Sequence, residues 1–129
     1  DVWINAADVP CDWDQSKAVN AVDDYMTQIG DDLKAVICDN DQMAVAAQAE
    51  CNTKGRSDIL CIGVDGTDAA LEMIANGTML ATVLQDGVGQ VNAAVKALTT
   101  AINGEKYEKE YMVPFVLITS ENLSDYYNK

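Results

Sequence analysis

Trp13, Asn40, Asp65 and Gln85 are the residues of this sequence whose types and places could do chemistry together. Each stands just beyond a run that reads as a β-strand. In an open α/β sheet, ligands bind outside the carboxyl ends of the strands. The set offers one aromatic face and three hydrogen-bonding side chains. A sugar ring matches it: the C–H face stacks on the aromatic ring, while amides and a carboxylate exchange donors and acceptors with neighbouring hydroxyls. Each residue also has a plainer reading. Trp13 could anchor a loop, Asn40 cap a helix, Asp65 shape a turn before Gly66, and Gln85 serve as a strand-end polar group. Their convergence at one end of one sheet favours a site. The sequence has no histidine, which removes the commonest general base and every Ser-His or Cys-His nucleophile pair. The constellation therefore reads as binding, with no catalytic residues.

Other motifs carry less. Gly87-Val88-Gly89 follows a strand and opens a helix, as a dinucleotide fingerprint should. However, the third glycine position is Asn92, and Asp86 stands where it would repel a pyrophosphate. Asp23-Asp24 and Asp31-Asp32 read as solvated charges on a helix face and in a turn rather than as metal ligands. Asn76-Gly77-Thr78 and Asn122-Leu123-Ser124 match the glycosylation acceptor pattern, which chance supplies often. Cys11, Cys38, Cys51 and Cys61 contain no Cys-x-x-Cys pair; they read as buried thiols, with disulfides the alternative in an oxidising compartment. No metal and no cofactor is expected.

The elements that must hold these residues alternate strand and helix. Residues 2–7 read as a first strand and 15–29 as a helix, with Ala18, Val22, Tyr25, Met26 and Ile29 at the spacing of one buried face. Residues 35–38 read as a strand and 42–54 as a helix capped from Asp39-Asn40-Asp41. The apolar run 59–64 lacks alternation, as a strand buried on both faces does. A helix to Ile74 follows, then a strand at 79–84 and a helix at 88–102 carrying Val91, Ala94, Val95, Leu98 and Ile102. A charged connector at 105–110, a strand at 113–118 and a short helix at 122–127 complete the chain. Five β–α units in a row predict an α/β fold, a doubly wound parallel sheet with helices on both faces.

The chain has 129 residues, 49% of them hydrophobic, which fits one ordinary globular domain. Eight basic against 21 acidic side chains leave a net charge of −13, a surface that repels phosphate backbones and anionic lipid, so no nucleic-acid or membrane-surface partner is expected. No run approaches a membrane span. The start at Asp1 lacks both a signal-peptide pattern and an initiator Met, and reads as a mature or excised piece.

The segments Asp12-Trp13-Asp14, Cys38-Asp39-Asn40-Asp41-Gln42-Met43-Ala44, Ile62-Gly63-Val64-Asp65-Gly66-Thr67 and Leu80-Ala81-Thr82-Val83-Leu84-Gln85-Asp86 resemble the ribose/galactose-type periplasmic sugar-binding proteins of ABC importers, of the type I periplasmic-binding-protein fold. The resemblance runs in order from Val2 to the C-terminus. It implies an extracytoplasmic bacterial receptor for a monosaccharide, pentose or hexose, that delivers to an ABC transporter permease, with Trp13, Asn40, Asp65 and Gln85 on the sugar. Trp13 looks like the glucose/galactose receptors and Gln85 like the ribose receptors. Lys34 stands where the galactose type has a calcium-coordinating carboxylate, so no calcium site is expected. Family members are longer, with two lobes clamping the ligand. The resemblance therefore implies a fragment: residues 1–85 as second-lobe core, 86–112 as a segment belonging to the first lobe, and 113–129 as a return strand and helix. The family's opposing aromatic and arginine clamp have no counterpart in this sequence. The exposed inter-lobe face and the helix at 88–102 suggest a homo-oligomer. The alternative reading is the effector-binding domain of a sugar-responsive transcriptional repressor, although the proline that commonly follows the strand-end glutamine there is Asp86 in this chain.

Overall fold

The helices begin where short polar side chains can take up the unpaired N–H groups of a first turn. In the computed structural model, which describes residues 2–127, the Asp14 carboxylate accepts from the N–H groups of Ser16 (2.7 Å) and Lys17 (3.3 Å) to open α1 (Gln15–Ile29). Asn40 caps α2 (Asp41–Thr53), Thr67 caps α3 (Asp68–Ala75) and Asp86 caps α4 (Gly87–Ile102). All four helices lie where the apolar periodicity predicts them, within a residue or so at each end.

The strands β1 (Ala35–Ile37), β2 (Leu60–Asp65), β3 (Ala81–Leu84) and β4 (Val116–Thr119) form one sheet in the order β1-β2-β3-β4. The first three run parallel; β4 returns antiparallel to β3, pairing Thr82 with Ile118. The α/β fold with a mostly parallel sheet is as expected, and only the last strand departs from the parallel run. The predicted strand at residues 2–7 is absent. That stretch forms no ladder, and Val2, Trp3 and Ile4 stand largely exposed. An apolar run becomes a strand only if a sheet edge receives it, and no described edge does. Residues 113–115 also stay outside β4, and the last helix is a single 3₁₀ turn, Leu123–Asp125. Residues 1, 128 and 129, which the sequence reading included at its ends, lie outside the described residues.

Register decides which side of the sheet is covered. Val36, Cys61, Gly63, Thr82 and Ile118 share one face, and α1, α2 and α3 pack on that side. The buried side chains fall into two clusters there. One joins Ala18, Met43, Ala44, Ala70, Ile74 and Met79; the other joins Val22, Ala47, Cys51, Ile59 and Cys61. The opposite face carries Ile37, Leu60, Ile62, Val83 and Leu117, and Ile37 is 84% exposed. Helices on both faces were expected, and β2 was expected to be buried twice. In the described residues helices pack one face, because α4, the helix left to cover the other, buries no residue.

Polar bonds lock α2 and α1 to the sheet. Gln48, 2% exposed, donates to the Ile59 carbonyl (3.0 Å) and accepts from the Cys61 N–H (2.8 Å). One turn further along α2, Cys51 packs against Cys61 in one buried cluster, and the neighbouring Cys51 together with burial pushes the Cys61 thiol above the ordinary range. All four cysteines are free thiols, with Cys38, Cys51 and Cys61 buried and Cys11 only partly so. Arg56 forks onto Asp58 (Nε at 2.8 Å, Nη2 at 3.0 Å) while its other donors reach the Gly30 and Leu33 carbonyls, both at 3.2 Å. One guanidinium thus ties the end of α1 to the approach of β2.

The Arg56 bonds hold the Asp58 carboxyl down at about 2. A depressed carboxylate stabilises the fold above its unfolded value near 4, and that stabilisation drains away as pH falls through its folded value. Asp58→Asn should therefore narrow its stability gap to the parent between about pH 4 and pH 2, read as urea midpoints. Parallel losses in the two proteins would remove this role from the pair.

Candidate functional site

Because β1, β2 and β3 are parallel, their carboxyl ends open on one edge. Asn40 follows β1, Asp65 is the last residue of β2, and Gln85 is the first beyond β3. The Gln85 N–H donates to the Asp65 carbonyl at 3.3 Å, drawing the second and third of these together. Trp13 lies on the turn into α1, where it shares a shallow depression with Asp12, Asp14, Ser16 and Gln42. Gln42 belongs to the first turn of α2, so the indole stands beside the helix that Asn40 caps. The structure thus gathers Asn40, Asp65 and Gln85 on one edge, with Trp13 at its flank.

Backbone strain marks two of the four. Trp13 has φ +62° and Asp65 φ +129°. Residues with a Cβ avoid this region, and each such residue costs on the order of 1–3 kcal/mol unless its surroundings impose it. Around Trp13 the turn is held by Lys17 donating to Asp12 at 2.5 Å and by Asp14 capping α1. After Asp65 the chain continues at φ +76° through Gly66, where a Cβ would meet Leu84 Cδ1 at 2.7 Å. Only glycine fits there.

The side chains differ in what they leave free. Asn40 is 7% exposed, and its Oδ1 accepts from the Met43 N–H at 2.9 Å. The cap orients the amide, turning Nδ2 away from the helix; among the described residues no protein acceptor meets it. The Asp65 carboxylate is half-buried and the Gln85 amide exposed, and among the described residues no protein donor or acceptor engages either. Trp13 is 66% exposed. An aromatic face, an amide donor, a carboxylate acceptor and a second amide are therefore left without a protein partner among the described residues. Nearby, burial pushes the Cys38 thiol up to about 11, leaving a neutral thiol at the end of β1. Among the described residues no cluster of carboxylates, thiols or histidines could hold a metal ion.

Sequence reading missed the residues behind these. Asp41, expected among the capping carboxylates, is turned inward and 0% exposed, with Thr67 and Thr82 donating to it. The available signal was a hydroxyl, Thr82, inside an otherwise apolar strand. The double duty of Asn40 can be separated by substitution. Asn40→Ala should lose the cap at a cost of about 1 kcal/mol. Asn40→Ser keeps an acceptor and should stay within about 0.5 kcal/mol of the parent while losing the Nδ2 donor. Thermal unfolding of both variants checks the difference.

Residues 3–106 match the periplasmic binding protein domain family. The chain is 32% identical over 119 residues to a putative rhizopine-binding protein of Rhizobium meliloti, covering 91% of this chain and 38% of that protein. It is 31% identical over 117 residues to the ribose import binding protein RbsB of Escherichia coli, covering 89% and 38%. Among solved structures, an ABC transporter periplasmic solute binding protein from Actinobacillus succinogenes with bound D-allose aligns at a TM-score of 0.84 and 25% identity, over 94% of this chain and 43% of that one. One from Bacillus halodurans with bound myo-inositol aligns at 0.75 and 34% identity, over 88% and 39%. The chain thus spans 38% of the length of these curated relatives. By the match over residues 3–106 and by the fold it shares with these solute receptors, the chain belongs to the periplasmic binding protein family.

Proposed function

We propose that this chain supplies one wall of a monosaccharide-binding cleft in the extracytoplasmic receptor of an ABC importer. The observation that carries the reading is the row of unpartnered polar groups on Asn40, Asp65 and Gln85 at the carboxyl ends of three adjacent parallel strands, with the exposed face of Trp13 beside them. A cyclic polyol would lay its C–H face on the indole, accept from Asn40 Nδ2 and donate to the Asp65 carboxylate. Gln85 can do both. The relatives' names, ribose import among them, and the D-allose and myo-inositol in two neighbours support a ligand of this class, pentose or hexose. A neutral sugar is indifferent to the chain's charge of −13, whereas DNA is not. The sugar-responsive repressor is accordingly the weaker alternative. Delivery would be to an ABC permease, the partner of such a receptor.

With Trp13 two-thirds exposed, a sugar resting on this surface keeps its outer side in water and gains little from burial. Titration of the isotope-labelled chain with D-ribose, D-allose and myo-inositol should move the NMR signals of Trp13, Asn40, Asp65 and Gln85 with affinities in the roughly millimolar range or weaker. Trp13→Ala should abolish the shifts. Micromolar binding would overturn the one-wall reading, and the absence of any shift would overturn the sugar reading.

The open face of the sheet and α4 support a second expectation. Val88, Val91, Val95, Leu98 and Ile102 form an exposed apolar stripe, each more than half exposed. This is the helix read as belonging to the other lobe, and surfaces of this kind associate. Sedimentation velocity should show self-association that grows with concentration and is weakened by Val95→Glu. A sharp monomer at high concentration would count against it.

A further inference from the structure

We propose that Asp41 is the positioning residue of this site: its buried carboxylate clamps the turn after Asp65 and the strand before Gln85 to the corner that carries Asn40, without touching ligand itself. The inference rests on the sugar-site reading and deepens it. Asp41 is 0% exposed. Its Oδ2 accepts from the Thr67 N–H at 2.7 Å and the Thr67 hydroxyl at 3.1 Å, and its Oδ1 accepts from the Thr82 hydroxyl at 2.5 Å. The three donors come from two elements other than its own, the loop between β2 and α3 and the strand β3. No Lys or Arg among the described residues pairs with it. A buried carboxylate without a cation is held by neutral donors and by its place in the first turn of α2, where the N–H groups of the helix favour negative charge.

Each bond ends close to one proposed sugar contact. Asn40 precedes Asp41 directly. Thr67 lies two residues past Asp65, so the bond to its N–H restrains the far end of the left-handed pair Asp65-Gly66. A conformation that residues with a Cβ avoid persists only where the surroundings over-determine it, and this bond is the side-chain restraint on that turn. Thr82 lies three residues before Gln85 and sits beside Gly63 in the ladder. Gly63 makes the space: a Cβ there would come within 2.6 Å of Asp41 Oδ1 and 2.9 Å of the Asn40 carbonyl oxygen. Strand β2 therefore passes directly beneath the carboxylate. Apolar packing alone could fill the volume between α2 and β3, but only an acceptor with two oxygens can set the loop, the strand and the helix start relative to one another.

Three substitutions test this in the chain as it stands. Thr82→Val keeps the shape and loses the donor; Thr82→Ser keeps the donor; Asp41→Asn removes one acceptor. Two readouts apply well below melting: amide hydrogen exchange of the unliganded chain, and NMR titration with D-ribose. Thr82→Val and Asp41→Asn should speed exchange at residues 65–67 and weaken D-ribose binding, each by about 10-fold, as expected for a lost hydrogen bond to a charged group. Exchange in the second half of α2 should be unchanged, and Thr82→Ser should restore both readouts. A residue that merely stabilised the fold would raise exchange throughout and leave the affinity of the folded chain unmoved. Uniform acceleration, parent-like D-ribose affinity in Thr82→Val, or no rescue by Thr82→Ser would each overturn the proposal. If the parent chain itself shows no D-ribose shift, the sugar reading falls, and local against uniform exchange still decides whether Asp41 holds the turn.

Discussion

Gln48 sits almost wholly inside the protein with its amide bonded to the Ile59 carbonyl and the Cys61 N–H, and the seating of α2 on β2 that it anchors is the constraint on which the rest of the chain hangs. Cys51 and Cys61 close the same contact one turn further on. On the other side α1 packs on α2 through Ala18 and Val22. The N-terminal end of α2 carries Asn40 and Asp41. A side-chain amide spends its donor and acceptor on backbone groups of a neighbouring strand only if helix and strand meet at one spacing and one register. That fixed docking delivers the start of α2 to the carboxyl edge of the sheet, where the candidate ligand groups stand.

Covering one face of a sheet leaves the other with an unmet demand. Ile37, Leu117 and Leu60 present aliphatic side chains to solvent, α4 presents a stripe of valine and leucine, and the run at Val2, Trp3 and Ile4 is exposed as well. Exposed apolar surface of this kind is where proteins meet partners. They sit in a chain that spans 38% of the length of its curated relatives. Meanwhile the described buried side-chain polar atoms all find partners. Apolar surface can wait for a partner at moderate cost, whereas a buried polar atom without one costs more and gains nothing later.

The site keeps its free groups and its strain in the same place. Trp13 and Asp65 adopt backbone conformations that side chains disfavour, while Asn40, Asp65 and Gln85 keep hydrogen-bonding capacity that the protein does not use. A binding surface needs groups held still but unsatisfied, so that the ligand rather than a rotamer change completes them. The chain has no histidine, and burial keeps the Cys38 thiol beside this edge neutral.

What the sequence alone determined is local. The helices follow from apolar spacing and from caps at Asp14, Asn40, Thr67 and Asp86, signals contained within a few consecutive residues. The places of Asn40, Asp65 and Gln85 were legible for the same reason, since each ends or follows a strand that could be read. The strand read before Trp13 does not form, and the turn into α1 places that residue instead. Tertiary structure decided everything that needs a partner from elsewhere in the chain. Residues 2–7 have strand composition and no ladder, because a ladder belongs to two segments and not to one. The direction of β4, the face that the helices cover and the burial of Asp41 are likewise relations between distant residues. Asp41 reads as a surface cap in sequence and becomes a buried clamp only when Thr67 and Thr82, 26 and 41 positions away, are folded onto it.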